Sequence, residues 1–218
     1  MSETKFPANS FLGALQVGMA LATAPLSRLW YNRSGATADE VRRALPGDDL
    51  VPEPKIGYTR AITIDRPPRD VWPWLAQIGQ GRGGLYSYDG LENLVGCDIH
   101  SVDKIIPEFQ ELEVGDKVRF GPEDKKMPGQ VVAAIDPGRS LVMYGLNPET
   151  GEADKSATWA FVLEEIDGEG TRLITRQRLT YEGVGASILW HIVEPLNYVM
   201  ERKMLLGIKA RAESLSAG

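Results

Sequence analysis

The first patterned stretch, Phe6 to Ser27, runs for 22 residues without a charge. In it and just beyond, Leu12, Leu15, Met19, Ala22, Leu26 and Leu29 recur at alternating spacings of three and four, which puts them on one stripe of a helix. The length raises the question of a membrane span, but Asn9, Ser10, Gly13, Gln16, Gly18, Thr23 and Pro25 dilute it. A signal peptide fits poorly, because Glu3 cancels Lys5 and Pro25 directly follows the Ala22-Thr23-Ala24 that would have to be cut. The pattern predicts an amphipathic helix docked on the protein or on a partner, with attachment to a membrane through residues 6–27 as the alternative.

Thr37 to Leu45 reads as a short helix. Thr37 can cap it, the Thr37/Glu40 spacing fits a capping box, and Pro46-Gly47 stops it. Asp48 to Pro54 reads as an extended linker, so residues 1–54 form an N-terminal helical extension and residues 55–218 the main domain. Thr59 to Ile64 is rich in β-branched residues and predicts a strand. Pro68 then suits a helix start, and Val71, Trp72, Leu75 and Ile78 follow at helical spacing. A second short helix over Tyr86–Gly96 turns Leu91, Leu94 and Val95 inward. From Val114 the period changes to two, with strands expected at Lys117–Phe120, Gly129–Ile135, Ser140–Gly145, Ala157–Glu165 and Thr171–Tyr181. Asp136-Pro137-Gly138 and Asp167-Gly168-Glu169-Gly170 are turn signals between them. Ser187 to Ser214 is helical, with Leu189, Ile192, Val193, Leu196, Met200, Met204 and Ile208 on a broad apolar stripe. A strand, two short helices, an antiparallel meander and a long last helix make an α+β protein in which sheet and helix must cover each other.

Composition narrows the chemistry. With 24 Lys+Arg against 30 Asp+Glu, the formal charge of −6 gives no whole-chain cationic footprint for nucleic acid. A single cysteine, Cys97, excludes an internal disulfide and a multi-cysteine metal site, and two histidines, His100 and His191, exclude a three-histidine site. Gly79-Gln80-Gly81-Arg82-Gly83-Gly84 formally fits a dinucleotide fingerprint, but a helix rather than a strand precedes it, so it reads as a tight connection. No cofactor and no metal are implied, and a cytoplasmic protein is expected.

Three stretches carry a resemblance: Ile62 to Leu75 with its Asp65-Arg66-Pro67-Pro68, Gln77 to Asp89 followed by Leu91-Glu92-Asn93, and Val199 to Lys209. Over residues 55–214 the chain resembles the SRPBCC superfamily, which groups START lipid-transfer domains and polyketide cyclases/dehydratases. The resemblance implies a helix-grip fold, a curved antiparallel sheet wrapped around a long C-terminal helix. It also implies a cavity for a small hydrophobic molecule of lipid, polyketide or aromatic type, or else a cyclase- or dehydratase-like activity. A third reading is a filled cavity with the N-terminal helix contacting a membrane or protein.

Candidate cavity walls are Trp72, Leu75, Trp159, Phe161, Val193, Leu196, Met200 and Met204, each of which would serve equally as core packing. Around the glycine loop, Arg82, Tyr86 and Tyr88 lie near Gln77, Gln80, Asp89 and Glu92. They could rim a cavity mouth, or Arg82 could pair with a carboxylate while the tyrosines tie the loop down. Tyr86, Asp89 and His100 are the candidates for acid/base work. On the strand from Arg172 to Tyr181, an inward Arg176 or Arg178 would bind a ligand carboxylate, and an outward one would lie on a solvated face.

Overall fold

The computed structural model describes residues 10–167 and 169–215. Six strands, β1 (Ile56–Ile64), β2 (Lys117–Arg119), β3 (Gly129–Asp136), β4 (Ser140–Leu146), β5 (Ala153–Ile166) and β6 (Gly170–Leu179), form one antiparallel sheet in the order β1-β6-β5-β4-β3-β2. Five helices accompany it: α1 (Ser10–Tyr31), α2 (Ala38–Arg42), α3 (Pro68–Ala76), α4 (Asp89–Leu94) and α5 (Gly183–Glu213). This is the α+β arrangement of the helix-grip type, with the first strand paired to the last and the long final helix seated on the sheet. Register shifts at Val132/Ala134 in β3 and at Tyr144/Gly145 in β4 bend the sheet, as bulges do.

The main core lies between the sheet and α3 and α5. Leu141, Met143, Trp159, Phe161, Leu163 and Leu173 from the strands meet Val71, Trp74 and Leu75 from α3, and Met204, Leu205, Ile208 and Ala212 from α5. Along β6 the alternation sends Leu173, Thr175, Gln177 and Leu179 to the helix side and Arg172, Ile174, Arg176 and Arg178 to the other.

The outer side is not solvated. Residues 35–52 cross it and spend their carbonyls and carboxylates on the three arginines. Arg172 donates to both oxygens of Glu40, at 2.7 and 2.9 Å. Arg176 reaches Asp48 at 2.5 Å and the carbonyls of Val41 and Arg43, and Arg178 donates to the carbonyls of Val51 and Pro52. Under this strap Leu45, Ala61, Val162 and Ile174 form a second small core. The capping box of α2 forms as expected, with the Thr37 N–H donating to Glu40 at 2.6 Å and the Glu40 N–H to Thr37 Oγ1 at 3.2 Å. The free edge of β1 is covered too, because Thr59 and Ala61 donate their N–H groups to the carbonyls of Asn32 and Ser34. Gly35 permits this approach: its φ is +73°, and a Cβ there would sit 2.1 Å from the Ala61 carbonyl oxygen.

Three helices are turned differently from expectation. On α4 only Leu91 of the three expected residues packs inward, while Leu94 and Val95 are exposed. α1 docks on α4 and α5, but through Gly13, Gln16, Val17, Ala20 and Tyr31, while Leu12, Leu15 and Met19 face outward. The three-and-four spacing is right for a helix and the buried side is the opposite one. Gly13 meets the Tyr88 and Leu91 side chains so closely that a larger residue would hold the helices apart. Residues 6–9 and the side chains of Leu26 and Leu29 lie outside the described residues. No described helix is long and apolar enough to cross a membrane. On α5, Leu189 and Leu196 are exposed; the side facing the sheet carries Trp190, Glu194, Asn197, Glu201, Leu205, Ile208 and Ala212, so its first half is partly polar.

Candidate functional site

The sheet–helix layer is filled at the α3 end and open at the other. Where β5 starts, β6 ends and α5 begins, a pocket of about 510 Å³ is lined by Lys55, Asp154, Ser156, Ala157, Leu179, Thr180, Tyr181, Glu182 and Trp190. Leu179 and Ala157 are register partners on the helix side of the sheet, and Trp190 comes down from α5 to pack with Leu179, Ile56 and Tyr58. The rim is charged on both signs. Lys55 donates to the Tyr181 carbonyl and lies 5.2 Å from the centre of its ring, and the Tyr181 hydroxyl and Ser187 Oγ are 3.3 Å apart.

One step inward the layer is polar. Gln177 lies two residues from Leu179 on the same side of β6, and Glu194 one turn from Trp190 on α5. Arg60 on β1 forms an ion pair with Glu201, donates to Asn197 Oδ1 and the Tyr31 carbonyl at 2.9 Å each, and sits between the rings of Tyr58 and Tyr198 at 4.9 and 5.4 Å. Trp159 Nε1 donates to the other Glu201 oxygen at 3.2 Å, and Asn197 Nδ2 to Gln177 at 3.3 Å. Burial lowers the Arg60 guanidinium to about 10, because removing a charge from water disfavours the charged form. Nη2 of Arg60 is buried without a hydrogen-bond partner.

None of the residues offered from the sequence as ligand-binding lines this pocket. Leu75, Tyr86, Trp159, Phe161 and Met204 belong to the main core, with Trp72 packed against it. Tyr88 and Met200 belong to the seam between α1, α4 and α5; Val193 is half-buried and Leu196 is exposed. Arg176 does not point under the last helix: it faces the strap, where it is buried against Asp48 and backbone carbonyls. The solvated alternative for Arg176 fails for the same reason. The His191 side chain lies outside the described residues. The pocket was missed because its lining is spread over short stretches beside the β6–α5 junction; the available signal was Leu179, Tyr181 and Trp190 bracketing Glu182-Gly183.

The glycine loop is a structural connection. Its amides are spent locally: Gly79 and Gly84 bridge each other, Gln80 donates to the Arg119 carbonyl and Gly83 to that of Gln77, so the cradle a phosphate needs is taken up. Arg82 pairs with neither Asp89 nor Glu92. It donates to the carbonyls of Ala76 and Phe109 and lies over the Phe109 ring.

The three acid/base candidates are apart in role. The Tyr86 hydroxyl donates to the Trp74 carbonyl, and burial raises it well above the usual phenol range. Asp89 accepts from the Ser101 N–H and hydroxyl at 2.7 Å each, and the Tyr86 N–H donates to that same Ser101 oxygen. His100 is exposed and paired to Asp98 at 3.1 Å. Among the described residues no group of three or more His, Cys, Asp or Glu side chains could hold a metal ion.

No family model matches the chain, and no curated protein matches it. Among solved structures it is similar to a polyketide-cyclase-like protein from Corynebacterium glutamicum, at 15% identity over 70% of this chain and 88% of that one, with a TM-score of 0.39. It is also similar to the Aha1 dimer from Colwellia psychrerythraea, at 16% identity, 74% and 99% coverage and a TM-score of 0.41. A third is a conserved protein from Geobacillus kaustophilus, at 15% identity, 72% and 94% coverage and a TM-score of 0.42. The strand order and the seating of α5 make the fold a curved antiparallel sheet with a long C-terminal helix, of the helix-grip type, and overlaps this distant carry no argument about chemistry.

Proposed function

We propose that the chain holds a small, largely apolar molecule at the open end of the layer between sheet and α5. The observation that carries this reading is the pocket of about 510 Å³ beside Trp190, a size within the range of small-molecule sites. Ala157, Leu179 and the rings of Tyr181 and Trp190 supply apolar surface, while Lys55, Asp154, Ser156 and Glu182 at the rim orient a polar end. The ligand-binding habit of SRPBCC-type folds agrees with it. A cyclase- or dehydratase-like reaction has less support, since the Tyr86 hydroxyl and Asp89 are spent on structural hydrogen bonds and none of Tyr86, Asp89 and His100 lines the pocket.

The test is a titration with 1-anilinonaphthalene-8-sulfonate, an apolar fluorophore with one polar end, against the full chain and Ala157→Trp. Saturable binding by the parent that Ala157→Trp abolishes, with the unfolding midpoint unchanged, is the expected result. Equal binding by the two folded proteins would remove this pocket as the site. Native mass spectrometry of the freshly purified protein then reports the mass of any ligand carried along.

A further inference from the structure

We propose that α1 docks the protein on an anionic membrane surface, lying flat with its outward side in the bilayer interface. That side carries Leu15 (53% exposed), Met19 (60%) and Trp30 (60%), with Leu12 in line with them. From Leu12 to Trp30 the stripe is ~27 Å long at the helical rise of about 1.5 Å per residue. Its reverse is already committed to the fold through Ala20, Val17 and Tyr31, and the Tyr88 hydroxyl donates to Gln16 at 2.8 Å. The helix is thus held rigidly with its apolar side out. A helix without carboxylates, whose one charge is Arg28 near its end, and not long and apolar enough to cross a membrane, suits the interface plane, with a tryptophan at headgroup depth.

Charge selects the partner. The protein as a whole is acidic, at −6, yet the helices around the stripe turn their acids inward. α1 has no carboxylate; on α4, Glu92 is buried and Asp89 is bound by Ser101; on α5 as far as Leu206, Glu194 and Glu201 are buried. Outward on the same surface are Arg33 just after α1, and Arg202 and Lys203 on α5, the last lying 5.6 Å from the ring of Tyr88, which bonds α1. A second copy meeting this face about a two-fold axis would set basic groups against basic groups with no exposed carboxylate on these helices to pair them. Anionic headgroups match both the apolar stripe and its basic border.

The experiment is co-sedimentation of the full chain with phosphatidylcholine vesicles, with and without phosphatidylglycerol, at low and high salt. Binding to the anionic vesicles that falls at least about tenfold on neutral lipid or in high salt is expected. Leu15→Glu/Met19→Glu should abolish it with unchanged thermal unfolding, since both positions are exposed. Arg33→Glu/Arg202→Glu, which leaves the stripe intact, should weaken it by about fivefold or more per charge. A blue shift of tryptophan emission on vesicle binding should be lost in Trp30→Phe. Failure to sediment with anionic vesicles, undiminished binding by either double variant when folded, or a dimer in solution that Leu15→Glu/Met19→Glu dissociates would each overturn the proposal.

Discussion

Arg60 on β1 and Glu201 on α5 form an ion pair in the middle of the sheet–helix layer, their side chains only 1% and 2% exposed. The carboxylate is shared with the Trp159 indole N–H, and the guanidinium is shared with Asn197 and the Tyr31 carbonyl. One pair therefore joins the first strand, the last helix and the end of α1.

Removing one partner leaves the other charge buried without compensation, which in comparable sites costs about 3–5 kcal/mol. Glu201→Leu should fall in that range by urea denaturation, and Arg60→Met close to it. The double variant Arg60→Met/Glu201→Leu should recover most of the loss, because two apolar side chains of similar size need no counter-charge. If the double loss equals the sum of the single losses, the pair is not coupled and this account fails.

Gly207 shows packing overriding helix propensity. It lies inside α5, where alanine would ordinarily stabilise by roughly 1 kcal/mol. Here a Cβ would sit 2.2 Å from the Tyr86 carbonyl oxygen and 2.9 Å from the Tyr86 Cβ, on a residue that itself holds φ at +56°. Gly207→Ala is therefore expected to destabilise by about 1–3 kcal/mol, as overpacking does. A thermal midpoint at or above the parent's would show that the α5–loop contact is looser than this geometry.

The fold class is legible in the chain because it rests on local signals: alternation in five runs, turn dipeptides between them, and a long helical segment at the end. Orientation is less so. The stripe from Leu12 to Leu29 is helical by spacing, yet the side that packs is the one with Gly13 and Ala20, since close contact with Tyr88 and Leu91 selects small residues over large ones. On α5 the apolar run Leu189–Leu196–Met200 draws attention away from Glu194 and Glu201, which face inward because Arg60, remote in sequence, waits beneath them. Arg172, Arg176 and Arg178 alternate as a wet outer face would. Only the strap from Gly35 to Pro52, with the carbonyls left open at the C-terminal end of α2 and in the extended stretches beside it, turns them into buried ligands for backbone.

That strap should be sensitive to acid through Glu40. Arg172 donating to both its oxygens, helped by the Thr37 N–H, holds the Glu40 carboxyl at about 2, against an ordinary 4.5. Because the folded value is the lower one, its contribution is fully present above about 4.5 and is lost as the pH falls from there towards 2. It amounts to no more than about 3 kcal/mol. Glu40→Gln should be less stable than the parent at pH 7, with the difference closing below about pH 4. A difference that stays constant down to pH 3 would locate the effect in shape rather than charge.

Glu92 on α4 runs the opposite way. Its side chain is buried, Oε2 has no hydrogen-bond partner, and burial, aided by the nearby Asp89 charge, raises it to about 8. The unfolded chain gives up this proton near 4.5 while the folded protein keeps it, so between about 4.5 and 8 folding must take up a proton and stability falls as the pH rises. Glu92→Gln keeps the shape and removes the titration. It should match the parent near pH 4 and exceed it by on the order of 2–4 kcal/mol at pH 8. The measurement is the denaturation midpoint of both proteins across that range. Curves that stay parallel would mean that water reaches the Glu92 carboxylate despite its burial.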